Sequence, residues 1–558
     1  MSLGHPVGLR DAKQRSFRDD LSHWPRGRAS MVSSAFTIGD RLRTHATERP
    51  NDVLLVDAGN DRTLTYGEVY GRVRRLASAL HELGVRKGDR VGAISVDNYR
   101  FAELLLATMS MGATIVPINP RAVRREVETF LAKSEARLLF ADARSLENVH
   151  DIADVLGCIG AIVAFDPDSP LRPEPGGADF SYDALLAEAP NGHEWPDIED
   201  SDILRLSFTS GTTGTPKGVL QSHLMLKRLA IQCSIDREFT RRTFHYNGSP
   251  LFHVSGFSHL LAAVAVGFRI LLMPAFKPSE LLDWLSDGGL TDVFLVPTMV
   301  SSLLTTPDIE GRDYSQVRSF GYGAAPMPPA LLRRAMDVFG CDFLQLFGAS
   351  ECGSQTVLGW EEHRRAVAGE HWLLASIGKA AFDTEVRLCD DDMNDVPPGE
   401  IGEIVSRGDV NMSGYMDLPV ETARVMIDGW FRSGDMARRD DDGYLYLMGR
   451  KKDLLIRGGE NIYPIDIESV LFEFPGVREA AVVGYPDEHW GEIVMAYLVV
   501  DWPEDREEDL LAFCRTHLAP QKIPVRLAYL DTLPKTSTGK IDKVAIRSIL
   551  HEDRKESS

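Results

Sequence analysis

Alternating helical and strand patterns near the start of the chain constrain its fold more than any other feature. From Val69 apolar residues recur at steps of three and four, which predicts one face of a helix that ends before Gly84. The apolar run 91–94 predicts a buried strand, and a second helical run, 102–111, precedes another strand at 113–118. Such units place parallel strands in a sheet that helices cover on both faces. We therefore expect an α/β fold.

The charged segment Gly449-Arg450-Lys451-Lys452-Asp453 predicts a boundary between two domains. After it, strand patterns at 480–483 and 493–500 and helical patterns at 507–518 and from 543 form an α+β unit long enough to fold independently. We expect an N-terminal tail over 1–35, a large domain over 36–450 and a small domain over 451–558. The tail is basic but has no apolar segment typical of a secretory signal. Pro, Gly and Asp over 165–200 predict surface loops.

Charge and cysteine content exclude several classes of protein. With 82 acidic and 61 basic residues the formal charge is −21, which argues against binding along nucleic acid. The six cysteines include no CxxC pair, so neither a disulfide framework nor a zinc site is expected. No apolar run is long enough for a membrane span. We predict a cytoplasmic protein, monomeric or homodimeric.

A loop rich in glycine and threonine follows the strand pattern 203–208. Its sequence is Thr209-Ser210-Gly211-Thr212-Thr213-Gly214-Thr215-Pro216-Lys217-Gly218. Glycines allow close approach of a ligand, hydroxyl groups donate hydrogen bonds, and one lysine adds positive charge, so the loop predicts a polyphosphate site. It differs from the Walker pattern, because Pro216 precedes Lys217 and Gly218 stands where a magnesium-binding Ser or Thr is required.

The loop closely resembles the phosphate-binding signature of the adenylate-forming superfamily. That superfamily includes acyl-CoA synthetases, aryl-CoA ligases, peptide-synthetase adenylation domains and beetle luciferases. Further motifs of the family follow in order over residues 36–550: Gly321-Tyr322-Gly323-Ala324-Ala325-Pro326, Phe347-Gly348-Ala349-Ser350-Glu351 (with Ser350 for the usual Thr), Arg432-Ser433-Gly434-Asp435, the boundary segment with Gly458-Gly459-Glu460-Asn461 after it, and Pro534-Lys535-Thr536-Ser537-Thr538-Gly539-Lys540. The resemblance implies a large domain of layered, doubly wound sheets with a small barrel-like part, and a small, mobile α+β C-terminal domain.

The resemblance also implies a role for each motif. Lys540, Glu351 and Lys217 are the implied catalytic residues, Glu351 also binds Mg2+, and Lys452 is the hinge of the small domain. ATP or coenzyme A binding is implied for Thr209, Ser210, Gly211, Thr212, Thr213, Gly214, Gly323, Ala324, Ala325, Phe347, Gly348, Ser350, Asp435, Arg450, Gly458 and Gly459. Asp435 would bind the ribose, and the last two glycines would let the pantetheine arm of coenzyme A pass.

The reaction implied needs these residue types. A carboxylate is already a nucleophile at neutral pH, so attack on ATP needs charge neutralisation and in-line positioning rather than a general base. The products are an acyl-adenylate and pyrophosphate, and a thiol then attacks the adenylate. We expect ATP, Mg2+ and coenzyme A to take part.

The region around His253 resembles the mouth of the acyl pocket in aryl- and fatty-acyl-CoA ligases. Amino-acid-activating members carry an aspartate in this region, and none occurs over 249–267. The implied substrate-binding residues are His253, Val254, Gly256, Phe257, Tyr322 and Cys352, with Thr298, Gly321 and Gly323 nearby. Such small, apolar walls favour an uncharged hydrophobic acid, of medium or long chain or with a bulky ring.

Three further interpretations stay open. A free-standing adenylating enzyme would load a separate carrier protein, because the chain contains no carrier domain. An enzyme specialised in one half-reaction would keep the same motifs. A nucleotide-binding protein without turnover is disfavoured, because Lys217, Glu351, Asp435, Arg450 and Lys540 are all present.

Overall fold

The structure is a computed structural model that describes residues 37–171, 177–190, 195–209, 216–502, 506–535 and 541–556, with side chains as far as residue 549. All of these residues belong to one compact unit, residues 37–558. The predicted tail lies outside the described residues.

The helices are numbered in chain order. They are α1 Ile38–Glu48, α2 Tyr66–Glu82, α3 Tyr99–Ser110, α4 Arg124–Ser134, α5 Ala143–Val149, α6 Ile152–Val155, α7 Tyr182–Glu188, α8 His223–Asp236, α9 Val254–Val266, α10 Pro278–Ser286, α11 Pro297–Leu304, α12 Pro329–Phe339, α13 Trp360–Val367, α14 Pro419–Val425, α15 Pro464–Glu473, α16 Glu507–His517 and α17 Lys543–Glu556.

The strands are numbered in the same way. They are β1 Val53–Asp57, β2 Arg62–Thr65, β3 Arg90–Ile94, β4 Thr114–Ile118, β5 Leu138–Ala141, β6 Ala161–Ala164, β7 Phe180–Ser181, β8 Ile203–Thr209, β9 Lys217–Ser222, β10 Phe244–Asn247, β11 Arg269–Leu272, β12 Asp292–Leu295, β13 Ser319–Gly323, β14 Asp342–Ala349, β15 Gly353–Leu358, β16 Lys379–Ala380, β17 Glu385–Cys389, β18 Ile401–Arg407, β19 Gly414–Tyr415, β20 Met426–Ile427, β21 Trp430–Arg439, β22 Leu445–Arg450, β23 Leu455–Arg457, β24 Glu460–Ile462, β25 Val477–Asp487, β26 Gly491–Val500 and β27 Arg526–Tyr529.

Two mostly parallel sheets form the larger part of the fold. One has the strand order β16-β15-β14-β13-β12-β10-β11-β1-β2, and the other β19-β9-β8-β4-β3-β5-β6-β7. Pairs in the middle of each sheet are parallel, whereas β2, β15 and β16 in the first sheet and β9 and β19 in the second pair antiparallel. A single core joins apolar residues of both sheets to those of α1, α2, α3, α8 and α9, so these helices lie between the sheets.

The helical and strand patterns predicted near the start of the chain are confirmed. The predicted helix from Val69 is α2, which begins at Tyr66 after a Thr65 capping box, three residues before the apolar pattern. The predicted strands are β3 and β4, and the helix between them is α3. The prediction of loops over 165–200 is wrong in part, since α7 lies there and packs Tyr182 and Leu186 into the core.

Two smaller sheets complete the fold. Strands β17, β18, β21, β20 and β22 form an antiparallel sheet after the large parallel ones, and bulges in two of its strand pairs bend it. Farther along, β24-β23-β26-β25 with β27 form the sheet of the C-terminal part, covered on one face by α15 and α16 and on the other by α17. The predicted α/β class, with a small α+β part after the doubly wound sheets, is confirmed.

Two further findings concern membrane-spanning helices and cysteines. No helix within the described residues is long and apolar enough to span a bilayer. All six cysteines are free thiols, and four of them are buried.

Candidate active site

The predicted nucleotide motifs gather where parallel strands end. Strand β8 ends at Thr209, β13 at Gly323 and β14 at Ala349. Ligands of open α/β sheets bind beyond the carboxyl ends of such strands. Thr209 pairs with Lys217 across the antiparallel β8–β9 pair, so both ends of the predicted phosphate loop are fixed in one sheet. Ser210, Gly211, Thr212, Thr213 and Gly214 lie outside the described residues.

Lys217 and Glu351 lie on either side of Tyr415, a residue that the sequence analysis missed. The Lys217 Nζ lies 4.8 Å from the centre of the Tyr415 ring, and the Tyr415 hydroxyl donates to Glu351 Oε1 at 3.3 Å. Burial raises the pKa of Tyr415, and the neighbouring Glu351 carboxylate raises it further, so the hydroxyl keeps its proton. The tyrosine reaches this place because β19 pairs with β9. A cation and a carboxylate thus contact one tyrosine near the ends of the strands.

Loss of the Tyr415 hydroxyl tests this arrangement. We expect Tyr415→Phe to lower kcat/KM for ATP by about tenfold, because one hydrogen bond to a charged group is lost while the ring against Lys217 stays. Steady-state kinetics at saturating acid and magnesium would measure the effect. An unchanged kcat/KM would remove Tyr415 from the site.

Glu351 lies in the tight connection between β14 and β15. The antiparallel pair is irregular between Phe347 and Gly348, a bulge next to the predicted metal-binding carboxylate. The backbone of the turn is held from outside: Gln221 Nε2 donates to the Ser350 carbonyl at 2.8 Å, and Met412 N donates to the Glu351 carbonyl at 2.7 Å. The turn therefore has a fixed shape that aims the Glu351 side chain.

Only a glycine fits at position 348, because the paired strand leaves no room for a side chain. A Cβ at this position would lie 1.9 Å from the Gly353 carbonyl oxygen on the paired strand. We expect Gly348→Ala to destabilise the fold by about 1–3 kcal/mol, since backbone atoms must move to relieve the overlap. Urea unfolding would measure it, with Gly71→Ala as the matched control, because Gly71 lies on α2 with open space around its Cβ position. Equal unfolding midpoints for the two variants would contradict this packing.

A buried arginine supports the turn between β14 and β15 through its hydrogen bond to Gln221. Arg205 on β8 is 0% exposed; its Nη1 donates to Gln221 Oε1, and its Nη2 donates to the Phe252 carbonyl at 2.7 Å. Burial lowers the pKa of Arg205 to about 9. The sequence analysis missed Arg205 and Gln221, although a single arginine within the apolar pattern of β8 was a visible signal. The pair connects the Ser350 turn to the residue before His253.

On the predicted adenine side, the chain leaves β13 in an unusual conformation. Gly323 is buried, and its Cβ position would lie 2.3 Å from the Leu346 carbonyl oxygen of β14. Ala324 has a φ of 67°, in the left-handed region that alanine rarely adopts, and both Ala324 and Ala325 are exposed. Phe347 packs against the core of the bent antiparallel sheet. An open, strained segment at the strand end is typical of a ligand-binding position.

The predicted ribose aspartate lies on the bent sheet. Asp435 on β21 is opposite Arg450 on β22, and Arg450 Nε donates to Asp435 Oδ1 at 3.1 Å. The Asp435 amide donates to Ser433 Oγ at 3.0 Å, which fixes the turn before it. Burial raises the pKa of Cys352 well above its ordinary value, and the charges of Glu351 and Asp435 raise it further, so this thiol stays protonated.

The predicted acyl-pocket residues described next lie at the start of α9 and on strand β13. His253 caps α9, with its Nδ1 accepting from the Ser255 amide at 3.3 Å, and Val254 follows it at 8% exposure. Phe257 is 0% exposed, within the core between the sheets. The Tyr322 hydroxyl contacts His363 Nε2 at 3.0 Å toward α13, on the opposite face of β13 from its glycine neighbours.

Gly256 has no room for a side chain. Its Cβ position would lie 2.2 Å from the Pro250 carbonyl oxygen and 2.4 Å from the Ser249 carbonyl oxygen. A larger residue here would displace the 249–250 backbone rather than fill a cavity. Gly256 is therefore unsuited to tuning the size of an acyl pocket.

The predicted hinge lies in a short 3-10 helix, Lys451–Asp453, directly after β22. The surrounding protein desolvates the Lys452 ammonium and lowers its pKa, although the residue as a whole is exposed. Asp453 pairs with Arg547 of α17 at 3.1 Å. Gly458 and Gly459, with φ of 59° and 85°, form the two-residue turn of the β23–β24 hairpin. Lys540 lies outside the described residues.

Magnesium fits the donor set around Glu351. Within the described residues no group of three or more His, Cys, Asp or Glu side chains surrounds one point. Mg2+ is commonly held by one or two carboxylates together with substrate phosphates and water. Glu351 is a suitable carboxylate, and Lys217, which contacts the same Tyr415 side chain, is a cation available for phosphate oxygens nearby.

Comparisons with known proteins show the family of the chain. Residues 42–416 match the family model of the AMP-binding enzymes, and residues 466–540 match that of the AMP-binding enzyme C-terminal domain. The chain belongs to this adenylate-forming family. It is an AMP-forming acid–thiol ligase.

Three similar proteins illustrate the range of the family. A feruloyl-CoA synthase of Amycolatopsis sp is 36% identical over 488 residues, 87% of this chain and 93% of the relative. The fatty acid–[acyl-carrier-protein] ligase ScoC of Streptomyces coeruleorubidus is 31% identical over 540 residues, 95% of this chain and 98% of the relative. The solved structure of the anthranilate CoA ligase AuaEII in complex with anthranoyl-AMP has a TM-score of 0.84 and 26% identity, and the alignment covers 94% of this chain and 99% of that one.

Proposed function

We propose that the enzyme works in two half-reactions on one site. In the first, the acid carboxylate attacks the α-phosphate of ATP, and pyrophosphate leaves. In the second, the thiol of coenzyme A attacks the acyl carbon of the adenylate, and AMP leaves. The observation that carries the proposal is the placement of Lys217 and Glu351 on either side of Tyr415, beyond the ends of β8 and β14.

Each residue has a definite task in the first half-reaction. Lys217 neutralises charge on the departing pyrophosphate, and Asp435, held by Arg450, accepts hydrogen bonds from the ribose hydroxyls. Glu351 holds Mg2+, which when bound neutralises phosphate oxygens. Lys540, from the C-terminal part, lies between the substrate carboxylate and the α-phosphate in this proposal. No general base is required, because the nucleophile is already ionised.

Rotation of the C-terminal part separates the two half-reactions in this proposal. The large domain would span 36–450 and the small domain 451–558, with Lys452 as the hinge. Each domain would keep its own ion pair during the rotation: Arg450 with Asp435 before the hinge, and Asp453 with Arg547 after it. Gly458 and Gly459 would then face coenzyme A, where the open space around the Cβ position of Gly459 allows close approach.

Proline at the hinge tests the rotation. We expect Lys452→Pro to keep acyl-adenylate formation and to lower thioester formation at least tenfold, since proline fixes φ near −65° and removes one donor. Stopped-flow measurement of each half-reaction would show the split. An unimpaired overall rate would exclude Lys452 as the hinge.

The acid in this proposal has a hydrophobic body, either a medium to long chain or a bulky ring. Phe294 supplies apolar surface against the glycines of β13, and α9 begins without a carboxylate that would pair with a substrate ammonium. Release of pyrophosphate from a panel of acids, with and without coenzyme A, tests the function. If no acid supports AMP formation, the proposal is wrong.

A carrier protein as acyl acceptor is the second candidate. It is favoured by the similarity to ScoC, whose name states a ligase for an acyl-carrier protein. Competition between coenzyme A and a purified phosphopantetheinylated carrier protein would distinguish the two acceptors. A cytoplasmic location is part of the same proposal, and cell fractionation would test it.

A further inference from the structure

Glu403 on β18 is a buried carboxylate that belongs to none of the predicted nucleotide motifs. It is 4% exposed, and its strand pairs with β21, which carries the predicted ribose-binding segment Arg432-Ser433-Gly434-Asp435. A carboxylate is rarely buried to this extent unless charged or hydrogen-bonding partners surround it. The partners of Glu403 therefore indicate what it does.

The backbone of β21 bulges out of the sheet beside Glu403. In the register of the two strands, Glu403 is opposite Met436 and Val405 is opposite Arg432. A single residue of β18 between these pairs therefore faces three residues of β21, and we call those three, residues 433–435, the β21 bulge. The ladder of the sheet is interrupted here, so other contacts must fix the direction of the bulge.

Contacts from β18 hold the β21 bulge. Gly434, whose φ of 75° lies in the left-handed region that favours glycine, donates its amide hydrogen to Glu403 Oε1 at 3.1 Å. Ser433 Oγ donates to the Ile404 carbonyl at 2.8 Å and accepts from the Asp435 amide at 3.0 Å. Because the bulge ends at Asp435, these hydrogen bonds fix the backbone that carries its carboxylate.

The second oxygen of Glu403 faces two cations. Arg432 donates to Glu403 Oε2 from Nε at 3.1 Å and from Nη2 at 2.5 Å, and Lys451 Nζ lies 3.8 Å from the same oxygen. Both cations also contact Asp391, whose side chain is 76% exposed. Exposed ion pairs contribute little, so Glu403 is the principal partner of Arg432. One carboxylate thus connects the bulge before Asp435 to the first residue of the hinge segment.

We infer that Glu403 is a positioning residue, which shapes the β21 bulge and thereby holds the Asp435 carboxylate where it binds the ribose hydroxyls of ATP. The inference rests on the proposed function, because that function assigns the ribose to Asp435. Arg450 on β22 holds the same carboxylate from the other side, with its Nε 3.1 Å from Asp435 Oδ1. The carboxylate and the backbone before it are therefore fixed from two different strands, which leaves little reorganisation when the nucleotide binds.

Two other roles for Glu403 make different predictions. A purely structural role would lower the activity with every nucleotide by the same factor. A role at the hinge alone, through Lys451, would change the balance between the two half-reactions without changing the preference among nucleotides. The ratio of activities between ATP and an analogue without ribose hydroxyls separates the positioning role from both.

The test compares ATP with dideoxy-ATP, which lacks both ribose hydroxyls, at saturating acid, magnesium and coenzyme A. Acid-dependent release of pyrophosphate gives kcat/KM for each nucleotide. We expect the wild type to favour ATP by about ten- to hundredfold, because the analogue loses hydrogen bonds to a charged group. Glu403→Gln should lower this preference to about threefold or less, because an amide has one donor end, which must then face a donor of either Gly434 or Arg432.

Two further variants complete the test. Glu385→Gln is the matched control, because Glu385 on β17 of the same sheet pairs with Arg407 at 2.8 Å and is 62% exposed; it should keep the wild-type ratio. Glu403→Asp keeps the charge but is one methylene shorter, so it cannot reach both the Gly434 amide and Arg432. It should lower the preference for ATP by a smaller factor than Glu403→Gln.

Each outcome decides the question. The wild-type ratio in Glu403→Gln, with or without an altered balance of the half-reactions, would overturn the inference alone. Equal activity of the wild type with both nucleotides would overturn the ribose role of Asp435 in the proposed function, and the inference with it. If Glu403→Gln fails to fold in thermal unfolding, Glu403→Asp decides in its place: a lowered preference supports the inference, and the wild-type preference overturns it.

Discussion

Lys540→Ala is expected to lower the rate of acyl-adenylate formation by at least about 10²-fold and to spare thioester formation from supplied acyl-adenylate. The reason is that this lysine neutralises developing charge in only one half-reaction, and removal of one such donor typically costs 10²- to 10³-fold. Single-turnover kinetics with ATP and acid, and separately with synthetic acyl-adenylate and coenzyme A, would measure the two rates.

The matched control is another lysine of the C-terminal part. Lys522 pairs with Asp466 at 2.5 Å and belongs to none of the predicted nucleotide motifs, so Lys522→Ala should keep both rates near those of the wild type. Equal losses in the two half-reactions of Lys540→Ala would contradict the role given to Lys540.

Glu351→Gln is expected to lower adenylate formation by about 10²- to 10³-fold and to raise the magnesium concentration needed for half-maximal rate. The substitution keeps the size of the side chain and its contact with the Tyr415 hydroxyl but removes the charge that a hard cation requires. Initial rates over a magnesium titration at fixed ATP would measure both effects.

An exposed carboxylate on helix α13 provides the control. Glu361 is exposed in the first turn of α13, and Glu361→Gln should leave the magnesium dependence unchanged. A normal magnesium dependence in Glu351→Gln would mean that another group holds the cation.

The regular part of the fold follows from the sequence because its signals are local. The step pattern from Val69 is the buried face of α2, and the run 91–94 is β3, extended by one residue at its start. The capping box at Thr65 and Glu68 explains why α2 begins before its apolar pattern. The α7 helix was missed because two breaks rich in Pro and Gly flank a segment of only seven residues.

The site is less predictable because its contacts are between distant parts of the chain. Tyr415 reaches Lys217 only through the pairing of β19 with β9, a partnership that no local pattern encodes. The directions of side chains are likewise hidden: adjacent residues of β13 point to opposite faces, so Tyr322 turns to His363 while Gly321 meets Arg237. A sequence motif identifies both residues without saying which one faces the acid.

The fate of the carboxylate oxygen tests the central claim most directly. The acid is labelled with the heavy oxygen isotope in its reacting carboxylate and is turned over with ATP, magnesium and coenzyme A. An acyl-adenylate intermediate leaves one labelled oxygen in the phosphate of AMP, which mass spectrometry of the nucleotide detects. We predict this label in AMP, together with pyrophosphate equal in amount to thioester. Label in inorganic phosphate, with ADP as the nucleotide product, would contradict the account.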